Sequence, residues 1–263
     1  MGAGPDTQPI RSQGNRAGWE LDKDQVVSVT HPAASLATAV ILPGTGSDEV
    51  FVRNVFSGPL RAAGLELLAP APEPGKRLVE GYVAALDEAC GNGPVVVGGV
   101  SLGAHVAALW AARHPDRCSG LLLALPAWTG EPGAAPASVL ARASAADVRA
   151  RGVAAVVADV PGWLGDELRR SWRRYGDALA DSLDAGAAAP GPSAQELSGI
   201  QVPVGIGCCV DDPVHPDEVA RQWVDAVPLG CLRTTRLAVM AVDPEALGRA
   251  AVGAFLTATA RRG

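Results

Sequence analysis

The sequence predicts an α/β fold, with a mostly parallel central sheet flanked by helices and interrupted by a helical insertion. Three observations carry this expectation. Short β-branched runs alternate with segments of helical period, an order that implies parallel strands covered on both faces. The apolar run Pro94–Val100 ends in Gly99-Val100-Ser101-Leu102-Gly103, and Leu102–Arg113 then reads as a helix closed by His114-Pro115. The alternation breaks once, between Pro126 and Gly199, where Pro/Gly-rich ends enclose helical segments.

Taken in order, Val26–Thr30, Thr38–Leu42 and Leu65–Leu68 read as strands. Arg77–Cys90 places Leu78, Val79, Tyr82, Val83 and Leu86 on one helical face, with Gly91 as its left-handed stop. After the Ser101 strand and its helix, Ser119–Leu125 is a further buried strand. The insertion holds helices at Ala145–Asp159 and Asp166–Leu183. Gln201–Val210 and Cys231–Met240 follow as strands, and Pro244–Arg261 as the closing helix. The expected organisation is a disordered tail over residues 1–24, a core over 25–125 and 200–263, and a cap over 126–199. An insertion at the carboxyl end of a strand stands over the ligand crevice of such a sheet.

A chain of 263 residues, 48% apolar, is long enough for one large core. Its net charge of −6 offers no basic footprint for nucleic acid. No stretch is apolar enough to span a bilayer, and the first residues lack a signal peptide's apolar centre. The five cysteines form no C-x-x-C, so neither a disulfide framework nor a zinc site is expected, and the cytoplasm is the expected location. Cys208-Cys209 reads as buried packing. No cofactor is called for.

Gly-x-Ser-x-Gly between strand and helix is a nucleophile elbow: a sharp turn presents the serine hydroxyl, and side chains at the glycines would collide with neighbouring backbone. Together with Leu42-Pro43-Gly44-Thr45-Gly46-Ser47 after an earlier strand, the insertion after Leu125, and Asp211-Asp212-Pro213-Val214-His215-Pro216 after a later strand, this elbow resembles the α/β-hydrolase family over roughly residues 25–260. The closest likeness is to capped, esterase-like and C–C-hydrolase-like members.

The resemblance implies Ser101 as nucleophile and the Leu102 N–H as an oxyanion donor. It implies a second donor from Gly44-Thr45, where the family usually has His-Gly, with Thr45 or Ser47 able to add a hydroxyl. It implies Asp212, with Asp211 second, as the acid. One expected residue is missing. The family histidine belongs between the last strand and the closing helix, and Thr235–Asp243 contains none. His215 is the candidate substitute, because its loop lies at the same sheet end as Ser101 and Asp212 is near enough to orient its ring; its other reading is a residue preceding a helix start at Pro216. His105 and His114 read as structural, and His31 is uninformative.

In Leu168–Gly176, Arg169, Arg170, Arg173 and Arg174 surround Trp172 and Tyr175. They read either as a grip on an anionic substrate or as a solvated helix face. Trp128 and Trp163 are candidates to line an apolar acyl pocket. Two functions stay open. One is a serine hydrolase acting on a small ester, thioester or related acyl substrate. The other is a non-catalytic protein of the same fold that binds a small ligand or a partner.

Overall fold

The computed structural model describes residues 37–262, together with Met1 and Gly2. The tail expected at 1–24, apart from Met1 and Gly2, the strand at Val26–Thr30 and His31 lie outside the described residues.

Six strands form one parallel sheet: β1 (Ala37–Leu42), β2 (Leu65–Leu68), β3 (Val95–Val100), β4 (Cys118–Ala124), β5 (Val204–Cys209) and β6 (Gly230–Thr235). Their spatial order is β2-β1-β3-β4-β5-β6. The order reverses between β1 and β3, so the loops leaving these two strands diverge and open a crevice at their carboxyl ends. Gly44 follows β1 and Ser101 follows β3, so topology alone brings these loops together. β1, β3, β4 and β5 are buried almost throughout, as continuous apolar runs covered on both faces require.

The helix after the serine, α3 (Leu102–Arg113), is buried on nearly every side. Its Gly103, Ala104, Ala107, Ala108 and Ala111 suit a helix enclosed by the sheet and its neighbours. The other core helices are α1 (Glu49–Ala62), α2 (Leu78–Ala89), α9 (Asp217–Ala226) and α11 (Glu245–Ala260). α11 lies directly on β5, where side chains at Gly205 and Gly207 would meet the backbone of Phe255 and Ala251.

Several expected boundaries shift. Gly91 has no positive φ; a short 3-10 turn carries the chain on to Gly93, whose φ of 128° makes the stop. The helix expected at Ala145–Asp159 is two, α4 (Pro136–Arg151) and α5 (Val153–Ala158), separated by Gly152 at φ 80°. The one expected at Asp166–Leu183 is also two, α6 (Gly162–Tyr175) and α7 (Leu179–Ala188), separated at Gly176 with φ 55°. α8 (Ala194–Ser198) closes the insertion with a capping box from Ser193 and Glu196. The strand expected at Cys231–Met240 stops at Thr235 and turns into α10 (Leu237–Met240). Among the described residues, no helix is long and apolar enough to cross a membrane.

Candidate active site

Ser101 stands between β3 and α3 at φ 53° and ψ −115°, a conformation that costs free energy and persists only where its surroundings enforce it. Those surroundings are backbone. A side chain on Gly99 would run into the backbone of Gly103, and one on Gly103 into the carbonyls of Leu42 and Pro43. The Ser101 N–H is held by the Ala124 carbonyl at 2.9 Å. The turn after β1 packs against the serine from the other side: a methyl group on Gly44 would sit 3.2 Å from the Val100 carbonyl oxygen and 3.3 Å from Ser101 Cβ. Leu102 N–H, at the first position of α3, belongs to the amides that a helix leaves without an internal acceptor.

The Asp211–Pro216 loop brings an imidazole to the serine. His215 Nε2 lies 3.0 Å from Ser101 Oγ, and His215 Nδ1 lies 2.9 Å from Asp212 Oδ2. The other carboxylate oxygen of Asp212 accepts the backbone N–H groups of Val214, at 2.8 Å, and His215, at 3.2 Å. This aspartate therefore folds the turn and orients the ring it carries. Its side chain is 6% exposed and that of His215 is 17% exposed. Burial opposes ionisation of Asp212, but the hydrogen bond from His215, its charge and the two amides hold the carboxyl below its ordinary pKa. Asp211, the second candidate for the acid, faces elsewhere. Its Oδ1 accepts the Leu237 N–H at 2.8 Å at the start of α10, within the segment where the family histidine was expected. In that segment Met240 is buried, with its sulfur 3.4 Å from Cys209 Sγ.

His105, one helical turn beyond Ser101, is fully buried and its Nε2 accepts the Ala127 N–H at 3.0 Å. An amide can only donate, so the proton of the neutral ring sits on Nδ1, which has no partner among the described residues. The ring packs against Trp128, at a centroid distance of 4.4 Å, and Trp223, at 5.4 Å. Burial, aided by the charge of His215, pushes its pKa down to about 3. Between that value and the ordinary 6.5, the unfolded chain binds a proton that the native protein refuses. Stability therefore falls as pH is lowered through this window, by about 2 kcal/mol between pH 7 and pH 5. Urea unfolding at the two pH values should show this loss in wild type and a shallower dependence in His105→Gln; equal slopes would overturn it. His114 is structural in its contacts: Nδ1 lies 2.9 Å from the Trp110 carbonyl and the two rings stack.

The remaining candidates divide. Trp128 is buried beside His105, and Trp163 is half-buried in the first turn of α6. The Thr45 side chain fills the space beside Gly186 on α7. Ser47 Oγ is buried without a partner among the described residues. The four arginines of α6 are not simply a solvated face. Arg169 caps α5 through the Val157 carbonyl, Arg170 and Arg174 pair with Asp48, and Arg173 is left exposed. All five cysteines are free, and among the described residues no three His, Cys, Asp or Glu side chains gather as metal ligands.

No family model matches the sequence, and no curated protein matches it. Solved structures do. A carboxylesterase from the ammonia-oxidizing thaumarchaeon Nitrososphaera gargenis superposes with a TM-score of 0.69 at 15% identity, over 89% of this chain and 94% of that one. A non-heme bromoperoxidase described as putative, BpoC from Mycobacterium tuberculosis H37Rv, gives 0.61 at 19% identity, over 84% and 92%. The enol-lactonase from Burkholderia xenovorans LB400 gives 0.60 at 20% identity, over 84% and 91%. With the six-stranded parallel sheet, its strand order and the serine at the β3–α3 turn, these superpositions show that the chain has the α/β-hydrolase fold.

Proposed function

We propose that the protein is a serine hydrolase that cleaves a small ester, thioester or related acyl substrate through an acyl-enzyme on Ser101. One observation carries the reading: the continuous hydrogen-bonded line from Ser101 Oγ through His215 to Asp212, at 3.0 and 2.9 Å. A serine hydroxyl is a weak nucleophile until a base takes its proton, and His215 Nε2 is within the reach a general base needs. The non-catalytic alternative drew its weight from the lack of a histidine after the last strand, and His215 answers that objection from a different loop.

In the proposed reaction, Ser101 Oγ attacks the acyl carbon while its proton passes to His215 Nε2. Asp212 holds the Nδ1 proton and stabilises the imidazolium. The oxyanion is held by the N–H groups of Leu102 and Thr45, with Gly44 allowing the turn to approach. Collapse of the intermediate breaks the bond to the alkoxide or thiolate, which takes the proton from His215. Water, deprotonated by the same imidazole, then attacks the acyl-enzyme and releases the acid, returning the proton to Ser101. The segment 126–199 is the cap in this reading, and Trp128 and Trp163 form the apolar wall for the acyl group.

Intact-mass analysis after exposure to a fluorophosphonate at neutral pH tests the proposal. Wild type should gain one phosphonyl adduct and folded Ser101→Ala none. A folded wild type that stays unlabelled would return the weight to a binding function.

A further inference from the structure

In the proposed mechanism the second oxyanion amide belongs to the turn after β1, which packs on Ser101 from the sheet side, and the insertion holds the same turn residue by residue from the other. Thr45 packs into the gap at Gly186 of α7, and Gly46 faces the Trp172 indole of α6. The Ser47 carbonyl accepts the Tyr175 hydroxyl at 2.6 Å. Asp48, 1% exposed, accepts Arg170 on both oxygens, at 2.5 and 2.9 Å, and Arg174 at 3.1 Å, while its Oδ1 also caps α1 through the Val50 and Phe51 amides. Glu49 pairs with Arg174 at 2.7 Å. Thus one carboxylate fixes the start of α1, ends the oxyanion turn and anchors α6. Its pairing is bidentate, the geometry that fixes direction as well as distance. Glu167 braces Arg170 from the other side.

We propose that Arg170 is a positioning residue for acyl transfer: through Asp48 it ties α6 to the oxyanion turn and sets where the Thr45 amide points. The proposal rests on the serine-hydrolase reading above. It makes the insertion part of the catalytic geometry rather than only a cover, because displacing α6 displaces an oxyanion donor. A misplaced donor weakens the transition state and leaves substrate binding largely alone.

The test compares wild type, Arg170→Met and Arg170→Lys on p-nitrophenyl acetate and on the corresponding thionoester, whose sulfur gains little from oxyanion amides. Arg170→Met should lower kcat for the ester by about tenfold to a hundredfold, a part of what removing one donor costs. KM should hold nearly constant, and the ester-to-thionoester rate ratio should fall with kcat. Arg170→Lys, which keeps the charge without the fork, should show a smaller loss of the same ratio, and it serves alone if Arg170→Met does not fold. A folded variant that keeps wild-type kcat, or that loses ester and thionoester activity in parallel, overturns the positioning role while leaving the hydrolase reading intact. A wild type that neither labels at Ser101 nor turns over either substrate overturns both.

Discussion

His215→Gln should lower kcat/KM on a labelling-competent ester by about 10⁴-fold or more, the scale on which serine hydrolases lose activity when the base is removed. The expectation follows from position alone. His215 Nε2 is 3.0 Å from Ser101 Oγ, and the fully buried His105 has its Nε2 committed to the Ala127 amide. His114 has its Nδ1 against the Trp110 carbonyl at the far end of α3. Neither can take over. His105→Gln and His114→Gln should therefore retain activity wherever they fold. Fluorophosphonate labelling of His215→Gln should slow along with turnover, since both need the serine proton removed. Circular dichroism must show a native fold for the comparison to count. A folded His215→Gln enzyme with near wild-type turnover would mean that the serine is activated otherwise, and the proposed mechanism would be lost.

The elbow was legible in the sequence because its signature is local: Gly99 and Gly103 stand two residues either side of Ser101, even though a side chain on Gly103 would strike the sequence-distant Leu42 and Pro43 carbonyls. The parallel sheet was legible from the alternation of strand and helix signals, while the order of its strands is a tertiary fact that alternation leaves open. Helix boundaries in the insertion were less legible, since Gly152 and Gly176 are tolerable inside a helical pattern and only the folded backbone shows them at positive φ. The Arg170–Asp48 pair was out of reach, because its members are 122 residues apart and an arginine run looks the same whether solvated or paired. His215 lay between these cases. Its neighbours favour a turn, but whether its ring reaches Ser101, 114 residues away, is a tertiary fact. The expected histidine position was empty because the chain after β6 does something else there: it starts α10 on the Asp211 carboxylate.

That division of labour between adjacent aspartates gives the second large effect. Asp212→Asn should lower kcat by roughly 10⁴-fold, whereas Asp211→Asn should leave it close to wild type. Asparagine at 212 can still fold the turn, since its Oδ1 can accept the Val214 and His215 amides as the aspartate does. What it then presents to His215 Nδ1 is an NH₂ group. A donor facing Nδ1 favours the tautomer with its proton on Nε2, pointed at Ser101, and the base is protonated on the wrong nitrogen. The positive charge that develops on the ring also loses its carboxylate. Asparagine at 211 keeps the carbonyl that receives the Leu237 N–H, so α10 keeps its start and the site keeps its charge. Steady-state kinetics on the two variants, with thermal melts to confirm folding, separate the roles. Equal losses in both would show that the loop responds as one electrostatic unit, and a loss at Asp211 alone would reassign the acid. The contrast is sharp because the two side chains differ by one position in sequence and by direction in space: one faces the imidazole, the other the segment where the family keeps its own.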